Sequence, residues 1–475
     1  MTTLTYNVVP ATELLAGGRP DWLDRWGAFA ADLRFDSLPP AVVDRSKLVL
    51  LDCIGAIAAG MQEPETRTLA ARLSALDGAG EAGSPAIGAG RRFAPGTAAF
   101  LNGVAGTMLE LDEGNQYARG HPGIHVMPAA LAAAALRGAS GADLLAALAL
   151  GYEIGSRIGI ASKLLVTMHP HGTWGTVGAA LAVAKLNGAD AAAMIETINI
   201  ASTLGLATSR RTMLEGGTVR NSYAGFSNQL GLMAWELAAS GFVGETDGVR
   251  TVYGSVIAQD FRPDEMTAEL GERWEIARNY FKRHAACRYT HGALDALGDI
   301  VAQAGGRIDP DAVESVEVDT YVWAAQLNGP EPKNMLAAKF SLPFALATFL
   351  VNGAATPAAF RDAAREDART RALTRRVTVR EDAALTAKLP GLRPARVRVT
   401  LTDGRSFAAE ALTNKGDTED PYSPDEVRAK FAELAGPVWG AAHAADIAAC
   451  VEAIDRAPDL TTLTRLLAAS AKGSD

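Results

Sequence analysis

The chain has 475 residues, of which 48% are hydrophobic, so its length predicts two or three domains and its composition suits a large packed core. Its formal net charge is −9 and its acidic and basic residues are interspersed, which argues against non-specific nucleic-acid binding. The three cysteines, Cys53, Cys287 and Cys450, lie far apart without a CxxC pair, so neither a disulfide framework nor a zinc knuckle is indicated.

Neither a targeting segment nor a membrane span is evident in the sequence. The N-terminus has no basic start followed by an apolar core, which is the pattern of a secretory signal. The longest apolar stretches, residues 124–136 and 345–360, are shorter than the ~20 residues that a membrane-spanning helix needs. We therefore expect a cytoplasmic protein that does not enter a membrane.

Residues from about 40 to about 270 are predicted to be helical almost throughout. Apolar residues recur at three-residue steps within residues 44–60. Further helices are predicted at 141–159, 178–188 and 228–241, and the last two end at a helix-stop glycine. Alanine and glycine are abundant while aromatic residues are few, which favours closely packed helices with small residues at their contacts.

The pattern changes in the later part of the chain. Residues 313–323 alternate apolar with polar residues over part of their length, which predicts a strand. Residues 395–410 alternate more clearly and contain an Asp-Gly pair, so they predict a β-hairpin. A helical stretch, 337–353, lies between them, and a Ser-Pro-Asp-Glu start predicts a final helix from about residue 424.

The predicted fold is therefore mainly α, with two domains. Residues 1–275 and 411–475 form a large all-helical domain, and residues 276–410 form a smaller α+β domain. A cleft between two such domains is a natural place for a small-molecule site.

Polar residues cluster in four glycine-containing segments. The first, residues 109–125, carries Glu110, Asp112 and Glu113 ahead of His121. A loop between helices can hold carboxylates and an imidazole close together, although solvated charges on a surface loop would give the same pattern.

The second segment, MHPHGTWG at residues 168–175, holds two of the seven histidines of the chain. One histidine of an HxH pair usually points away from the other, so His169 and His171 are expected to differ in their surroundings; Pro170 stiffens the turn between them. A metal site would need further ligands, and no HExxH or similar pattern supplies them. A loop histidine bound to the backbone is the competing interpretation.

The third segment, residues 209–231, contains Arg210, Arg211 and Arg220 next to glycines and just before a helix. Arginine binds carboxylates in a bidentate manner, and helix N-termini favour anions. The alternative is a solvated arginine on a loop, which is the commoner fate of any single arginine.

The fourth segment, residues 281–297, is the densest cationic stretch next to a helix start. Its ten positions 282–291 include Lys282, Arg283, His284, Cys287, Arg288, Tyr289 and His291. A thiol between histidines could be a nucleophile, but no Cys/His/Asn signature accompanies Cys287, and buried free cysteines are common.

These four segments, in this order, resemble the MmgE/PrpD family, which includes 2-methylcitrate dehydratases, cis-aconitate decarboxylases and iminodisuccinate epimerases. HPHGTWGTVGAALA is similar to the family's HPTGTxGxFGAAxA, and KRHAACRYTHGALDA is similar to its KPxPxCRxxHxxxDA. The resemblance implies a helical domain built from both chain ends, an α+β lid, and a site between them. It also implies a homodimer that acts on a small carboxylate without a metal or an organic cofactor.

The resemblance also implies roles for individual residues. Catalytic roles fall on His121, His169, Lys282 and Asp112. Substrate-binding roles fall on Glu110, His171, Arg220, Tyr223, Cys287 and Arg288. We expect the two histidines His121 and His169 to transfer protons, because the unperturbed pKa of histidine, ~6.5, suits that task near neutral pH.

Two positions depart from the family pattern. Arg220 stands where the family has a lysine, and arginine effectively cannot release a proton, although it can bind a carboxylate. His171 stands where the family has a threonine, which changes the charge and hydrogen bonding of the pocket.

The leading hypothesis is a cofactor-free lyase, a dehydratase or a decarboxylase, that acts on a small di- or tricarboxylic acid by proton transfer next to a carboxylate. The first alternative is an epimerase or isomerase that uses the same proton abstraction, which the arginine at position 220 favours. The second alternative is a relative that binds a ligand without turnover, and the presence of His121, His169 and Lys282 argues against it.

Overall fold

The computed structural model describes residues 10–15, 17–77 and 83–472. Both predicted outer ends of the helical domain lie outside these residues. So do the first nine residues of the chain, on which the expectation of no secretory signal depends. Helices predominate and the sheets are small. The prediction of a mainly α fold with a smaller α+β domain is confirmed.

Within the described residues, the helices of eleven or more residues are Asp21–Asp32, Pro40–Met61, Pro64–Ser74, Pro95–Thr107, Pro122–Arg137, Gly141–Ala161, Gly175–Leu186, Ala191–Thr203, Tyr223–Ala239, His291–Gln303, Leu342–Asn352, Pro424–Trp439 and Ala441–Glu452. The shorter α-helices there are Ala11–Leu14, Arg210–Leu214, Gly248–Arg250, Asp264–Thr267, Val322–Ala325, Met335–Lys339, Asp362–Glu366, Ala368–Thr374, Ala383–Thr386 and Thr461–Leu467.

A buried helix, Gly141–Ala161, lies at the centre of the helical domain. The Ser140 hydroxyl accepts a hydrogen bond from the Asp143 amide at 3.1 Å, and the Asp143 carboxylate accepts one from the Ser140 amide at 3.1 Å, which fixes its start. Its 21 residues are long and apolar enough for a membrane span, but 94% of its most apolar window is buried inside the protein. The sequence-based search for spans missed this helix, which packs against Pro122–Arg137 and Gly175–Leu186 as a core element.

Small residues let these helices approach closely, as the composition predicted. Pro95–Thr107 packs on Tyr223–Ala239. A Cβ atom at Gly103 would lie 2.7 Å from backbone atoms of Ala224 and Gly225. Such a distance leaves no room for a methyl group between the two helices.

The α+β part contains a four-stranded sheet in the order Ser406–Ala411, Ala395–Leu401, Val313–Thr320, Val377–Glu381. The first three strands pair antiparallel, and the last pairs parallel with Val313–Thr320. The predicted strand and hairpin are thus confirmed. The fourth strand was not predicted from the sequence, because its five residues at the edge of the sheet are too few for a clear alternation.

The described residues also form three two-stranded antiparallel sheets. These pair Ser84–Ala86 with Arg91–Phe93, Gly114–Asn115 with Asn279–Tyr280, and Ser162–Leu164 with Ala258–Phe261. Each strand of these pairs has at most four residues, which agrees with the prediction that residues from about 40 to about 270 are helical almost throughout.

The predicted helix 337–353 is instead two helices, Met335–Lys339 and Leu342–Asn352. Ser341 separates them, because its hydroxyl accepts a hydrogen bond from the Phe344 amide at 3.1 Å and so begins the second helix. The helix predicted from about residue 424 is present as Pro424–Trp439, with Ser423 as its N-cap.

The last helices return to the helical domain. Pro424–Trp439 packs against Pro40–Met61, and both share one hydrophobic core. From this helix, the Lys430 ammonium donates to the Asp52 carboxylate and to the Leu111 carbonyl, each at 2.5 Å. This packing agrees with a helical domain built from both parts of the chain; the predicted boundaries at 275 and 411 stay a prediction.

Replacing Gly103 by alanine tests the close helix packing. The added methyl group must push two backbones apart, so we expect the free energy of unfolding to fall by about 1–3 kcal/mol. Gly96 lies in the same helix, and a Cβ atom there would have no neighbouring atom within 4 Å, so Gly96→Ala is the matched control and should not destabilise the protein. Denaturant unfolding measures both; equal stabilities of the two variants would contradict the packing described here.

Candidate active site

A cavity lies where the helical domain meets the α+β domain. The helical domain contributes Glu110, Arg119, His121, His169, Pro170, His171, Arg210, Met213 and Arg220. Residues 276–410 contribute Tyr280, Cys287, Arg288, Tyr289, Phe340 and Arg393. All four polar segments of the sequence therefore meet at one place, although they are far apart in the chain.

His121 is held in one orientation at the start of the helix Pro122–Arg137. Its Nδ1 lies 2.7 Å from the Glu113 carbonyl oxygen and 3.0 Å from the Asp112 carboxylate. Both partners are acceptors, so Nδ1 carries the proton and Nε2 is left as the basic nitrogen. No described residue forms a hydrogen bond with this Nε2, which leaves it free for a ligand in the cavity.

The second site histidine, His169, has the opposite tautomer. Its Nδ1 accepts a hydrogen bond from the His171 amide at 3.1 Å, so in the neutral ring the proton is on Nε2. Burial, and then the neighbouring Arg220, hold the pKa of His169 well below its usual value. His169 is therefore a neutral hydrogen-bond donor toward the cavity, whereas His121 presents a lone pair.

Both histidines of the HxH pair line the same cavity, so the expectation that they point in opposite directions is wrong. Their ring centroids are 4.7 Å apart. The chain turns sharply after Pro170, where the Thr173 hydroxyl donates to the Pro170 carbonyl at 2.5 Å and Gly172 has φ 82°. The turn brings the second ring back beside the first.

His171 lies among three other imidazoles. Its ring centroid is 4.6 Å from that of His121 and 4.9 Å from that of His125. The Arg220 guanidinium lies 3.5 Å from its Nε2, so this nitrogen is the acceptor. Burial, and then Arg220, hold the pKa of His171 well below its usual value, and burial lowers that of His125 to about 4.

Four buried charges, on Glu110, Asp112, Arg220 and Lys282, pair with one another beside the histidines. The Arg220 guanidinium donates to the Glu110 carboxylate. The Lys282 ammonium lies 3.5 Å from the Asp112 carboxylate and 3.9 Å from that of Glu110. Burial alone would raise the pKa of Asp112, but His121 and Lys282 outweigh it and hold that pKa below its usual value.

The predicted site residues thus differ in their access to the cavity. Glu110, His121, His169, His171, Arg220, Cys287 and Arg288 line it. Asp112 and Lys282 are fully buried behind it, where Asp112 orients His121 and Lys282 balances the carboxylates. The Tyr223 hydroxyl lies 3.4 Å from the Thr212 hydroxyl, and its ring packs beside His169 at 6.3 Å without lining the cavity.

Two of the lining residues are constrained by their own surroundings. Burial raises the pKa of the Cys287 thiol to about 11, so this residue is a neutral thiol near pH 7. Arg288 donates to the Asp417 carboxylate at 2.5 Å and stacks over Tyr280 at 4.5 Å. Arg288 therefore already has its own carboxylate partner.

Sequence reasoning missed several residues that the fold brings to the site. Arg119 and Arg393 line the cavity, and Arg210 does so from a segment that was recognised but assigned no role for this residue. Arg119 stands two residues before His121, which could have pointed to it. Lys339 was missed because it lies in an apolar helical stretch; it donates to the Met108 carbonyl at 2.9 Å, and burial lowers its pKa to about 7.

The buried carboxylate of Glu113 holds the loop that carries Asp112 in place. Its oxygens accept hydrogen bonds from the Tyr152 hydroxyl at 2.8 Å, the Gly123 amide at 2.7 Å and the Asn279 amide at 3.1 Å. Burial raises its pKa to about 8. These contacts fix the loop that carries Asp112 and the helix start that carries His121.

No group of three or more histidine, cysteine, aspartate or glutamate side chains within residues 10–15, 17–77 and 83–472 is arranged to hold a metal ion. The expected absence of a metal and of an organic cofactor stays a prediction.

Two family models match the chain. The MmgE/PrpD N-terminal domain matches residues 25–264, and the MmgE/PrpD C-terminal domain matches residues 284–456. The chain belongs to the MmgE/PrpD family. The second match extends into the last helices, which in three dimensions pack on the helical domain.

Two cis-aconitate decarboxylases are similar to this chain over almost its whole length. A cis-aconitate decarboxylase of Aspergillus terreus is 26% identical over 467 residues, which is 92% of this chain and 94% of that protein. A cis-aconitate decarboxylase of Mus musculus is 24% identical over 456 residues, which is 92% of this chain and 91% of that protein.

The buried neutral histidines make the stability depend on pH. The unfolded chain binds protons near the ordinary histidine pKa of 6.5, while the folded protein binds them only at lower pH. The contribution of these histidines to the free energy of unfolding is therefore fully present above pH 6.5 and falls as the pH drops toward 5, by up to ~1.4 kcal/mol per pH unit for each such histidine.

His171→Thr places the family's usual residue at this position. In this variant the free energy of unfolding should fall less steeply with decreasing pH, by up to the ~1.4 kcal/mol per pH unit expected for one histidine. Denaturant unfolding at several pH values between 8 and 5 measures the slope. Identical slopes for the variant and the original protein would show that His171 already carries its ordinary charge in the folded state.

Proposed function

We propose that this protein is a lyase that removes carbon dioxide or water from a small di- or tricarboxylic acid without a metal or an organic cofactor. The observation that carries the proposal is the fixed orientation of His121, whose basic Nε2 is free at a cavity lined by several arginines. The names of the relatives favour loss of carbon dioxide from an unsaturated tricarboxylate such as cis-aconitate.

His121 is the proposed proton-transfer group. The Asp112 carboxylate beside its Nδ1 stabilises the imidazolium that forms whenever Nε2 holds a second proton. A ring that is stable in both states can take a proton from carbon or deliver one to it.

In a decarboxylation, the bond between the substrate carbon and its carboxylate breaks and carbon dioxide leaves. The electron pair stays on the substrate and spreads toward the neighbouring unsaturated carboxylate. The imidazolium of His121 then gives its Nε2 proton to carbon, which forms the new C–H bond, and the ring regains a proton from solvent.

In a dehydration, His121 takes the proton from the carbon next to a carboxylate. The same imidazolium then protonates the departing hydroxyl group, so that water leaves and the ring returns to its starting state. Both reactions require negative charge to build up on the substrate carboxylate before it is relieved.

His169 is the proposed stabiliser of that charge. Its Nε2 proton is available to a carboxylate oxygen, and its lowered pKa keeps the ring from competing with His121 for protons. A neutral imidazole that donates one hydrogen bond can stabilise an enolate-like carboxylate without transferring a proton to it.

Arg220 is the proposed electrostatic neighbour of the pair. It is fully buried and held by Glu110, so its role is to hold charge in place. This role requires no proton release, which arginine could not provide.

The experiment is a panel of C4 to C7 carboxylic acids incubated with the protein in deuterium oxide. Loss of carbon dioxide with one deuterium placed on carbon, or loss of water with formation of a carbon–carbon double bond, supports the lyase. Deuterium exchange with stereochemical scrambling and no loss of a group would instead indicate an epimerase. No exchange with any acid, together with ligand binding that His169→Ala leaves unchanged, would indicate a binding protein.

The homodimer and the cytoplasmic location are also proposals. Sedimentation tests the first and cell fractionation tests the second.

His121→Asn should lower kcat by a factor of about 10²–10⁴, because the ring that transfers the proton is lost. His169→Gln keeps a side-chain hydrogen-bond donor and should lower kcat less. His443→Asn is the matched control, since His443 lies outside the cavity and contacts the Leu466 carbonyl at 2.9 Å. Steady-state kinetics of the three variants measure the effect; equal rates for His121→Asn and His443→Asn would contradict the assignment.

Cys287→Ser should keep kcat within about tenfold of the original value, because the thiol is neutral near pH 7 and the proposed chemistry needs no nucleophile. The measurement is the rate constant together with mass spectrometry of the protein during turnover. A covalent adduct on Cys287, or a loss of activity as large as that of His121→Asn, would show that the thiol reacts.

A further inference from the structure

Five arginines line the cavity, and two of them are neutralised by carboxylates of the protein. Arg220 is bound to Glu110, and Arg288 donates to Asp417 at 2.5 Å. The buried Lys282 is likewise balanced by Asp112 at 3.5 Å. These contacts leave three further arginines to be considered.

The remaining three, Arg119, Arg210 and Arg393, are here called the arginine triad. Among the described residues, no carboxylate lies within 4.0 Å of any of these three guanidinium groups. Their partners are neutral. Arg119 donates to the carbonyls of Gly159 at 2.6 Å and Ser162 at 2.5 Å.

The other two members also contact only neutral acceptors. Arg393 donates to the Gln116 carbonyl at 2.6 Å, and Arg210 donates to the side-chain oxygen of Gln326 at 3.2 Å. Carbonyl and amide oxygens orient a guanidinium group but do not cancel its charge. Among the described residues, the cavity wall therefore carries three positive charges that are not paired with a carboxylate of the protein.

Of the three, Arg393 is the most deeply buried, so the lack of a carboxylate partner is most unfavourable there. It is 2% exposed, and its Nε has no hydrogen-bond partner among the described residues. A buried charge is unfavourable unless an opposite charge or a full set of hydrogen bonds accompanies it. Since Arg393 lines the cavity, an anion bound there can supply both.

The triad comes from three separate parts of the fold. Arg119 belongs to the loop before His121. Arg210 is held beside the histidine segment, because its backbone amide donates to the Thr167 carbonyl at 2.8 Å. Arg393 belongs to the α+β domain. An anion bound by all three would therefore touch both domains and lie next to the histidines.

We propose that Arg119, Arg210 and Arg393 bind the carboxylates of the substrate and determine how many carboxylates it must carry. This inference rests on the proposed function. Three guanidinium groups without a carboxylate partner match a ligand with three carboxylates, and each lost carboxylate leaves one group unpaired. The triad thus selects by charge number, whereas His121 and His169 act on the carbon that reacts.

The experiment measures binding of propane-1,2,3-tricarboxylate and of glutarate, which is the same chain without the central carboxylate. Isothermal titration calorimetry compares the original protein with Arg119→Gln, Arg210→Gln and Arg393→Gln. The control is Arg262→Gln, because Arg262 lies outside the cavity and pairs with Glu265 at 3.2 Å.

We expect the original protein to bind the tricarboxylate at least tenfold more tightly than glutarate. Each triad variant should lose at least tenfold in tricarboxylate affinity and lose less in glutarate affinity, while Arg262→Gln should bind both as the original does. Equal binding of the two acids by the original protein, or triad variants that behave like Arg262→Gln, would overturn the inference. Arg210 is only half-buried, so Arg210→Gln keeps the test decisive if Arg393→Gln does not fold.

The two proposals can fail separately, because binding needs no turnover. Tricarboxylate preference that depends on the triad, with no acid turned over, would support the triad and overturn the lyase. Turnover of a tricarboxylate with an unchanged KM in all three variants would support the lyase and overturn the triad.

Discussion

The pairing of four buried charges, Glu110 and Asp112 with Arg220 and Lys282, is the constraint on which the cavity depends. Removing one partner of a buried ion pair leaves the other charge unpaired, which typically costs about 3–5 kcal/mol. The acidic members follow the helix Pro95–Thr107, and Lys282 follows the strand Asn279–Tyr280. The pairing therefore fixes both the charge of the site and the way in which these two distant segments meet.

The chemistry follows from this arrangement. Because His121, Lys282 and Arg220 together hold the pKa of Asp112 below its usual value, this carboxylate is ionised and can hold the Nδ1 proton of His121 and stabilise its imidazolium. Because burial and then the neighbouring Arg220 keep His169 neutral, the two histidines have different roles although both are imidazoles. One network of charges thus distinguishes a proton carrier from a hydrogen-bond donor.

Much of this could be predicted from local sequence patterns, since caps, glycine stops and alternation are local. The helix after Ser140 and the hairpin before residue 411 are examples. What could not be predicted depends on long-range packing. Arg393 reaches the cavity through a contact with Gln116, which is 277 positions away, and nothing near Arg393 in the sequence signals this. The shared orientation of the two HxH histidines likewise depends on the turn after Pro170.

A crystal structure of the protein with propane-1,2,3-tricarboxylate, which cannot react, tests the account most directly. The account predicts the carbon chain within about 3.5 Å of the His121 Nε2, a distance suited to proton transfer. It also predicts a carboxylate oxygen accepting the His169 Nε2 proton. A ligand that binds outside the cavity, or that lies in it with His121 turned away from every carbon atom, would contradict the account.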